Sequence, residues 1–520
     1  MQFRTLLFYL ASAGAAAALP QSLLPAEPQL ADIQRSIQSG DLRRARAGLE
    51  QALSTEPADP RIYNLLGVVE AQSNHFKAAE ANFQKAIQLA SGFTGAYLNL
   101  GRLYQEHPNE PRAQQMALET YQKLLGVEPA NVEALYQTAR LLHVRRQYSA
   151  SLAQLARLPP DLQERSAALA LQCANHAALG KVAETEAAGA RLLRSRDLAE
   201  ADVAPIVPVL GAHNARELAI RLLEELARRG FASSQALRQL GALHENQGHF
   251  QQARAVLEKI LELEPPSAGL LYRLAQVAYR AGDLDGALGY LGHARDLEPR
   301  NAAVHFFFGM LCVERKLPPE ARKSLEEAVR LDPANPDYHY ALGAVLIHAK
   351  DPDAAISHFQ KYREARPGDP RGRFALGVAY FDALQSDTAR NEFSSVAERP
   401  ETRMGAQLYL GRLALRENRL AEALVHFQKA IQANPSVPEA YADLALVYIR
   451  RNEYALAGQK LAEALKLAPD HYQSNLNLLM LYRRTKDARA QAQATRVEQL
   501  QKAGEEKERL LLRSLELRPR

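Results

Sequence analysis

The strongest constraint on the fold is a pattern of small and large residues that returns every 34 residues. One phase holds a small residue each time, at Gly241, Ala275, Gly309, Gly343, Gly377, Gly411 and Ala445. A second phase holds alanine, at Ala253, Ala287, Ala321, Ala355, Ala389, Ala423 and Ala457. A third phase holds proline, at Pro265, Pro299, Pro333, Pro367, Pro435 and Pro469. Residues 234–471 therefore form seven consecutive units without an insertion or deletion.

Each unit is predicted to be a pair of antiparallel helices. Small residues such as Gly309 and Ala321 let the two backbones approach closely, and Phe308 and Leu325 are expected to fill the space beside that contact. The proline then ends the second helix. One unit cannot bury its own apolar face, so neighbouring units have to stack.

The repeated pattern resembles that of the tetratricopeptide repeat family. The resemblance is clearest in AYADLALVYIRRNEYALAGQKLAEALKLAP, residues 440–469, and the units 26–59, 60–93 and 94–131 also fit. The last of these has four extra residues near EHPNEP. The resemblance implies an all-α fold, a right-handed superhelical solenoid of antiparallel helix pairs.

The repeats divide the chain into predicted segments. We expect a signal peptide at 1–18, a linker at 19–25, an N-terminal repeat block at 26–160, degenerate helical repeats at 161–233, a C-terminal repeat block at 234–485 and a charged helix or tail at 486–520.

The N-terminus has the three parts of a secretory signal peptide. One early cation, Arg4, is followed by an apolar run over residues 5–18 and by an A-x-A end at residues 16–18. The run is too short to span a membrane comfortably. We therefore expect an exported protein, periplasmic or secreted, with no membrane span in the mature chain. An uncleaved anchor and a cytoplasmic chain are the alternatives.

The charge distribution argues against a nucleic-acid partner. The formal net charge is +5, and residues 483–520 alone hold eleven Lys and Arg against six Asp and Glu. The rest of the chain thus has no net charge, whereas nucleic-acid binding requires a basic folded face.

No motif indicates catalysis, a cofactor or a metal, so we predict no catalytic, cofactor-binding or metal-binding residue. His305 and His339 lie 34 residues apart and are predicted to be packing histidines, with a metal-binding or pH-sensing role as the alternative. Cys173 and Cys312 lie about four repeats apart, too far for a disulfide, which predicts two buried thiols.

The resemblance also implies where a partner binds. In the family, the first helices of successive repeats line a concave groove. With Ser234 as position one, positions two, five, nine and twelve face a bound peptide, and position seven faces the core. Phe306 occupies position five, Phe307 lies beside it toward the rim, and Phe308 occupies position seven. The predicted partner-binding residues are Tyr272, Tyr279, Phe306, Phe307, Met310, Tyr340, Ile347, Phe374, Phe381 and Leu408.

The alternative for these side chains is packing against the first helix of the next repeat. The leading functional prediction is a non-catalytic scaffold of the cell envelope that binds a protein or peptide segment through apolar and aromatic anchors. A regulatory or targeting subunit of an enzyme, similar to the repeat halves of some glycosyltransferases, is a second possibility. A purely structural spacer is a third.

Overall fold

The computed structural model describes residues 27–107 and 112–502, and the regular structure in these two ranges is entirely helical. Two compact units divide the chain, Met1–Glu264 and Pro265–Arg520. In each unit, successive helices pack as antiparallel pairs. The prediction of an all-α fold built from helix pairs is confirmed.

The helices of the first unit are 4 to 15 residues long. They are α1 Glu27–Gln38, α2 Leu42–Thr55, α3 Pro60–Gln72, α4 Phe76–Leu89, α5 Thr94–Glu106, α6 Ala113–Val127, α7 Val132–Val144, α8 Tyr148–Leu155, α9 Pro160–Gln163, α10 Ser166–Ala178, α11 Val182–Arg194, α12 Glu200–Val203, α13 Val207–Ala212, α14 Arg216–Arg228, α15 Ser234–Asn246, α16 Phe250–Glu258 and α17 Ile260–Leu263.

The helices of the second unit follow the 34-residue period. They are α18 Ala268–Arg280, α19 Leu284–Leu297, α20 Ala302–Glu314, α21 Pro318–Leu331, α22 Pro336–His348, α23 Pro352–Ala365, α24 Pro370–Asp382, α25 Ser386–Val396, α26 Arg403–Arg416, α27 Leu420–Ala433, α28 Pro438–Arg450, α29 Tyr454–Leu467, α30 Tyr472–Thr485 and α31 Ala490–Lys502. The even-numbered helices here are the first helices of their repeats.

Local sequence fixes where these helices begin. The side chains of Asn335 and Asp369 accept hydrogen bonds from the first backbone N–H groups of α22 and α24. Pro336 and Pro370 then occupy the first helical position, where a missing N–H costs nothing. The capping residue and the proline that follows it thus set where α22 and α24 begin.

The two helices of a repeat touch at a glycine in the first helix. A Cβ atom at Gly309 would lie 2.8 Å from Leu325 Cγ, and one at Gly343 would lie 2.7 Å from Phe359 Cε1. Gly377 has the same relation to the ring of Phe393, at 2.6 Å. These contacts confirm the predicted close approach, because no residue larger than glycine fits there without a shift.

Two segments outside the regular repeats, residues 161–233 and the C-terminal end, are also helical. In 161–233 the pair α10 and α11 is followed by the short helices α12 and α13. At the C-terminal end, α31 packs on α30 and buries Val497 and Leu500. The predicted signal peptide 1–18, the linker 19–25 and residues 503–520 of the predicted tail lie outside the described residues.

Every helix within 27–107 and 112–502 is too short or too polar to cross a lipid bilayer.

Candidate functional site

The ten predicted partner-binding residues separate into two groups by exposure. Four side chains are partly exposed: Tyr272, Tyr279, Phe306 and Phe381. The other six are buried: Phe307, Met310, Tyr340, Ile347, Phe374 and Leu408. The row at position five is therefore not a continuous line of accessible anchors.

Phe374 is a core residue, because the next repeat covers it. Its ring lies 5.8 Å from that of Phe393 and 6.1 Å from that of Tyr409, measured between centroids. Gly405 allows this approach, since a Cβ atom there would lie 2.6 Å from the ring of Phe374. Tyr340 is also buried, with its ring 4.7 Å from that of Tyr362. The accessibility implied for both residues is wrong, and packing against neighbouring helices is the reason.

Two of the three consecutive phenylalanines of α20 face directions that differ from the expected ones. Phe307, predicted toward the rim, is 3% exposed and packs edge-on against Tyr272 and Tyr279, at 5.6 and 5.9 Å. Phe308, predicted in the core, is only partly buried. The guanidinium carbon of Arg295 lies 4.6 Å above the centroid of the Phe308 ring. The side chain that enters the neighbouring repeat is thus one position earlier than the family pattern implied.

Position six is a packing position whose role the sequence reasoning missed. Tyr409 repeats the arrangement of Phe307, with its ring 6.1 Å from Phe374 and 5.1 Å from Phe381 in the preceding first helix. A sequence signal was present. In the second unit, a ring occupies position six where the preceding first helix has rings at both positions five and twelve.

Three of the partly exposed rings lie on the successive first helices α18 and α20, and we group them as the aromatic patch: Tyr272, Tyr279 and Phe306. Phe307 supports the two tyrosines from behind. The hydroxyl of Tyr279 donates a 2.6 Å hydrogen bond to Glu314 Oε1, and burial raises the pKa of Tyr272. One side of each tyrosine ring is therefore packed against the protein itself.

Phe306 and Phe381 are partly exposed, but one side of each ring packs against another side chain. The ring of Phe306 packs against that of Tyr338 with 4.8 Å between centroids. Phe381 lies outside the patch, because the guanidinium of Arg416 sits 4.0 Å above its ring centroid. One face of Phe381 is therefore already covered by the protein itself.

The packing interpretation of the two repeated histidines is confirmed. His305 and His339 are buried, and the Nε2 atom of each lies 2.9 and 3.0 Å, respectively, from the carbonyl oxygens of Pro299 and Pro333. Asn475, at the same repeat position, donates to the carbonyl of Pro469 at 3.0 Å. These side chains tie each first helix to the loop before it.

Both cysteines are free and buried, as predicted. Burial raises the pKa of the Cys173 thiol to about 12 and that of Cys312 to about 11. Within the described ranges, no group of three or more His, Cys, Asp or Glu side chains is arranged to hold a metal ion.

Several solved structures are similar to the chain. Among solved structures, the Cut9–Hcn1 hetero-tetramer of the APC/C matches at 13% identity and a TM-score of 0.38, covering 86% of this chain and 95% of that chain. A tetratricopeptide repeat protein from Parabacteroides merdae matches at 16% identity and a TM-score of 0.41, covering 48% and 98%. Naa15/Naa10 bound to HypK matches at 15% identity and a TM-score of 0.37, covering 88% and 92%. No curated protein matches the chain in sequence.

Sequence profiles of protein families show to which family the chain belongs. Profiles described as tetratricopeptide repeat match residues 34–92, 234–277, 272–335, 308–370, 374–438 and 414–479. These matches support a scaffold for protein–protein interaction, and proteins of this kind are generally not catalytic. With its 34-residue helix pairs, the glycine contacts within them and these profile matches, the chain belongs to the tetratricopeptide repeat family.

Proposed function

We propose that the chain is a non-catalytic scaffold that binds an apolar segment of a partner protein at the aromatic patch. One observation carries the proposal: Tyr272, Tyr279 and Phe306 are partly exposed, while their neighbours Phe307 and Tyr338 are buried against them. Rings that are already fixed lose little conformational freedom on binding, so contact area converts efficiently into affinity.

The available area supports a moderate affinity. Covering roughly 50–100 Å² of each ring at about 25 cal/mol per Å² stabilises a complex by about 1–2.5 kcal/mol per ring. Three rings thus supply several kcal/mol, and the entropy cost of association offsets part of it. We expect a dissociation constant nearer micromolar than nanomolar. Because the contact is mainly apolar, it should weaken little when salt is raised.

A crosslinking experiment in cells tests the site. A photoreactive phenylalanine analogue replaces Phe306 in one variant and Phe308 in a control variant. Both side chains are partly buried on α20, but Phe308 lies beneath Arg295 and outside the patch. We expect a specific protein adduct at position 306 only.

Binding of the captured partner then provides the second measurement. The double variant Tyr279→Ala/Phe306→Ala should weaken the purified complex at least tenfold, since two anchors of more than 1 kcal/mol each are lost. Phe308→Ala should leave the affinity unchanged. Equal crosslinking at both positions, or an affinity that does not respond to the double variant, would contradict the proposal.

The site of action is also a proposal. The N-terminal pattern of Arg4, an apolar run and an A-x-A end supports export to the cell envelope or beyond.

A further inference from the structure

The last turns of three successive first helices in the second unit carry cations. Arg416 ends α26, Arg450 ends α28, and Arg483 and Arg484 lie in the last turn of α30. Lys486 follows α30 directly, and all five side chains are exposed. We call these five residues the basic edge.

The basic edge begins abruptly along the array. Arg416, Arg450 and Arg484 occupy position thirteen of their repeats. The four preceding first helices hold residues of mixed charge at this position: Arg280, Glu314, His348 and Asp382. The concentration of positive charge is thus confined to α26, α28 and α30.

Neighbouring acidic side chains do not neutralise this charge, because they pair with other cations. Glu417 pairs with Arg390 and Arg419, Asp443 with Arg412, Glu453 with Arg451, and Asp487 with Arg489. Across residues 27–107 and 112–502, no ion pair involves a member of the basic edge. Its charge is therefore available to another molecule.

Arg416 and Arg450 each use one N–H group to bind a backbone carbonyl at the end of the preceding first helix. Arg416 Nη1 donates to the Phe381 carbonyl at 3.4 Å, and Arg450 Nη1 donates to the Leu415 carbonyl at 2.8 Å. Both contacts favour a cation, since each carbonyl lies at the negative end of a helix dipole. A guanidinium has five N–H donors, so most of the donors of Arg416 and Arg450 remain unused by these bonds.

We propose that the basic edge binds an acidic segment of a partner protein. Neighbouring helices pack about 8–10 Å apart, so cations at position thirteen of successive repeats are spaced at about that interval. An extended peptide advances about 3.3 Å per residue, and a carboxylate at every third residue matches that spacing. Arginine also suits the partner, because its planar fork pairs with a carboxylate through two hydrogen bonds.

Two other occupants fit less well. Single-stranded nucleic acid usually stacks its bases on open aromatic rings. Beside the basic edge, however, Arg416 covers Phe381 and Arg489 lies 4.5 Å above the ring of Tyr482. The chain's own residues 503–520 hold five Lys and Arg against four Asp and Glu, so the segment as a whole brings no net negative charge to the edge.

The proposal is independent of the aromatic patch. The patch lies on α18 and α20, whereas the basic edge lies on α26, α28 and α30. Either surface can lack a ligand while the other binds one.

The test is a fluorescence titration of the full chain with a labelled poly-glutamate peptide. A poly-glutamine peptide of equal length and an oligo(dT) strand serve as comparison probes. We expect poly-glutamate to bind, poly-glutamine not to bind, and poly-glutamate affinity to fall as salt is raised. Arg483→Gln/Arg484→Gln should weaken poly-glutamate binding by roughly 3- to 30-fold, the combined effect of two surface charge pairs.

A stability measurement on the double variant and two control variants make the result decisive. Arg483 and Arg484 make no backbone cap that the double variant would remove, so its thermal unfolding should match that of the wild type. Arg300→Gln/Arg330→Gln removes the same charge elsewhere and should leave binding unchanged. Neutralising Lys507, Arg509 and Arg513 in the full chain should also have no effect. An equal loss in the Arg300/Arg330 variant, a loss only in the Lys507/Arg509/Arg513 variant, or tighter binding of oligo(dT) than of poly-glutamate would overturn the proposal.

Discussion

The Nδ1 atoms of His339 and His358 lie 2.8 Å apart, in the two helices of one repeat. His339 Nε2 faces the carbonyl of Pro333, which can only accept, so this nitrogen carries the proton of the neutral ring. His339 Nδ1 is then an acceptor, and His358 Nδ1 donates to it. The pair is satisfied when both rings are neutral.

This pair should make stability depend on pH. Burial lowers the pKa of His339. The pKa of His358 is lowered to about 4, mainly by burial. The neighbouring His339 and Lys361 also disfavour a positive charge on His358, and Glu326 only partly offsets this. In the unfolded chain a histidine titrates near 6.5, so the unfolded state binds more protons between about pH 6.5 and 4. Stability is therefore complete above about pH 6.5 and falls as the pH drops through this window.

The variant His358→Gln isolates the effect, because other buried histidines also titrate. Glutamine can still donate to His339 Nδ1. The unfolding free energy of both proteins should fall between about pH 6.5 and 4, and the decrease should be about 2 kcal/mol smaller in the variant than in the wild type. Urea unfolding at a series of pH values measures this, with the exposed His293→Gln as the control. Parallel pH profiles for wild type and His358→Gln would refute the assignment.

The burial of the phenylalanines in α20 predicts unequal costs of truncation. Phe307→Ala should cost about 3–5 kcal/mol, because it leaves a cavity between Tyr272 and Tyr279. Phe308→Ala should cost clearly less, since Phe308 is only partly buried. Thermal unfolding of the two variants provides the comparison. A larger loss of stability for Phe308→Ala than for Phe307→Ala would show that Phe308 is the core residue, as the family pattern implied.

The glycine contacts predict opposite signs for one substitution at two sites. Gly343→Ala should destabilise by about 1–3 kcal/mol, because its Cβ would meet the ring of Phe359 at 2.7 Å. Gly292→Ala in α19 meets nothing within 4 Å and should stabilise by about 0.5–1 kcal/mol through helix propensity. Unfolding midpoints of both variants are the measurement. The same sign at both sites would show that the contact at Gly343 is not tight.

Export predicts a shortened chain. Residues 1–18 should be absent from the mature protein recovered from its native source. Intact mass and N-terminal sequencing measure this. Envelope-localised protein that retains Met1 would contradict cleavage.

The sequence reveals contacts within a repeat only where the contacting residue types recur from unit to unit. The contact between Gly343 and Phe359 was predictable, because a small residue and a large apolar residue recur at these two positions in every unit. The pair His339–His358 was not, since the corresponding pairs, Arg373–Glu392 and Gln407–His426, join different chemical groups. A changing pair leaves no recurring residue type for a repeat comparison to detect.

The faces of α20 were assigned wrongly for a related reason. The family pattern gives each position an average role, but whether Phe307 or Phe308 is buried depends on ring sizes in the preceding repeat. Tyr272 and Tyr279 provide a slot that only a ring at position six fills. Such complementarity lies between units and is invisible when each unit is compared with an average.

The insertion of Phe307 and Tyr409 into the preceding repeat also fixes the order of the units. Removing residues 370–403 would keep the 34-residue rhythm, yet it would place Tyr409 behind Tyr340 and Ile347, where Ala375 now fits. Duplicating residues 370–403 would create the converse mismatch, because the second copy of Ala375 would face the slot between Phe374 and Phe381 that a ring now fills. The units that meet at Phe307 and at Tyr409 are therefore matched to one another, and a whole repeat can be removed or added at either junction only with a matching change at position six.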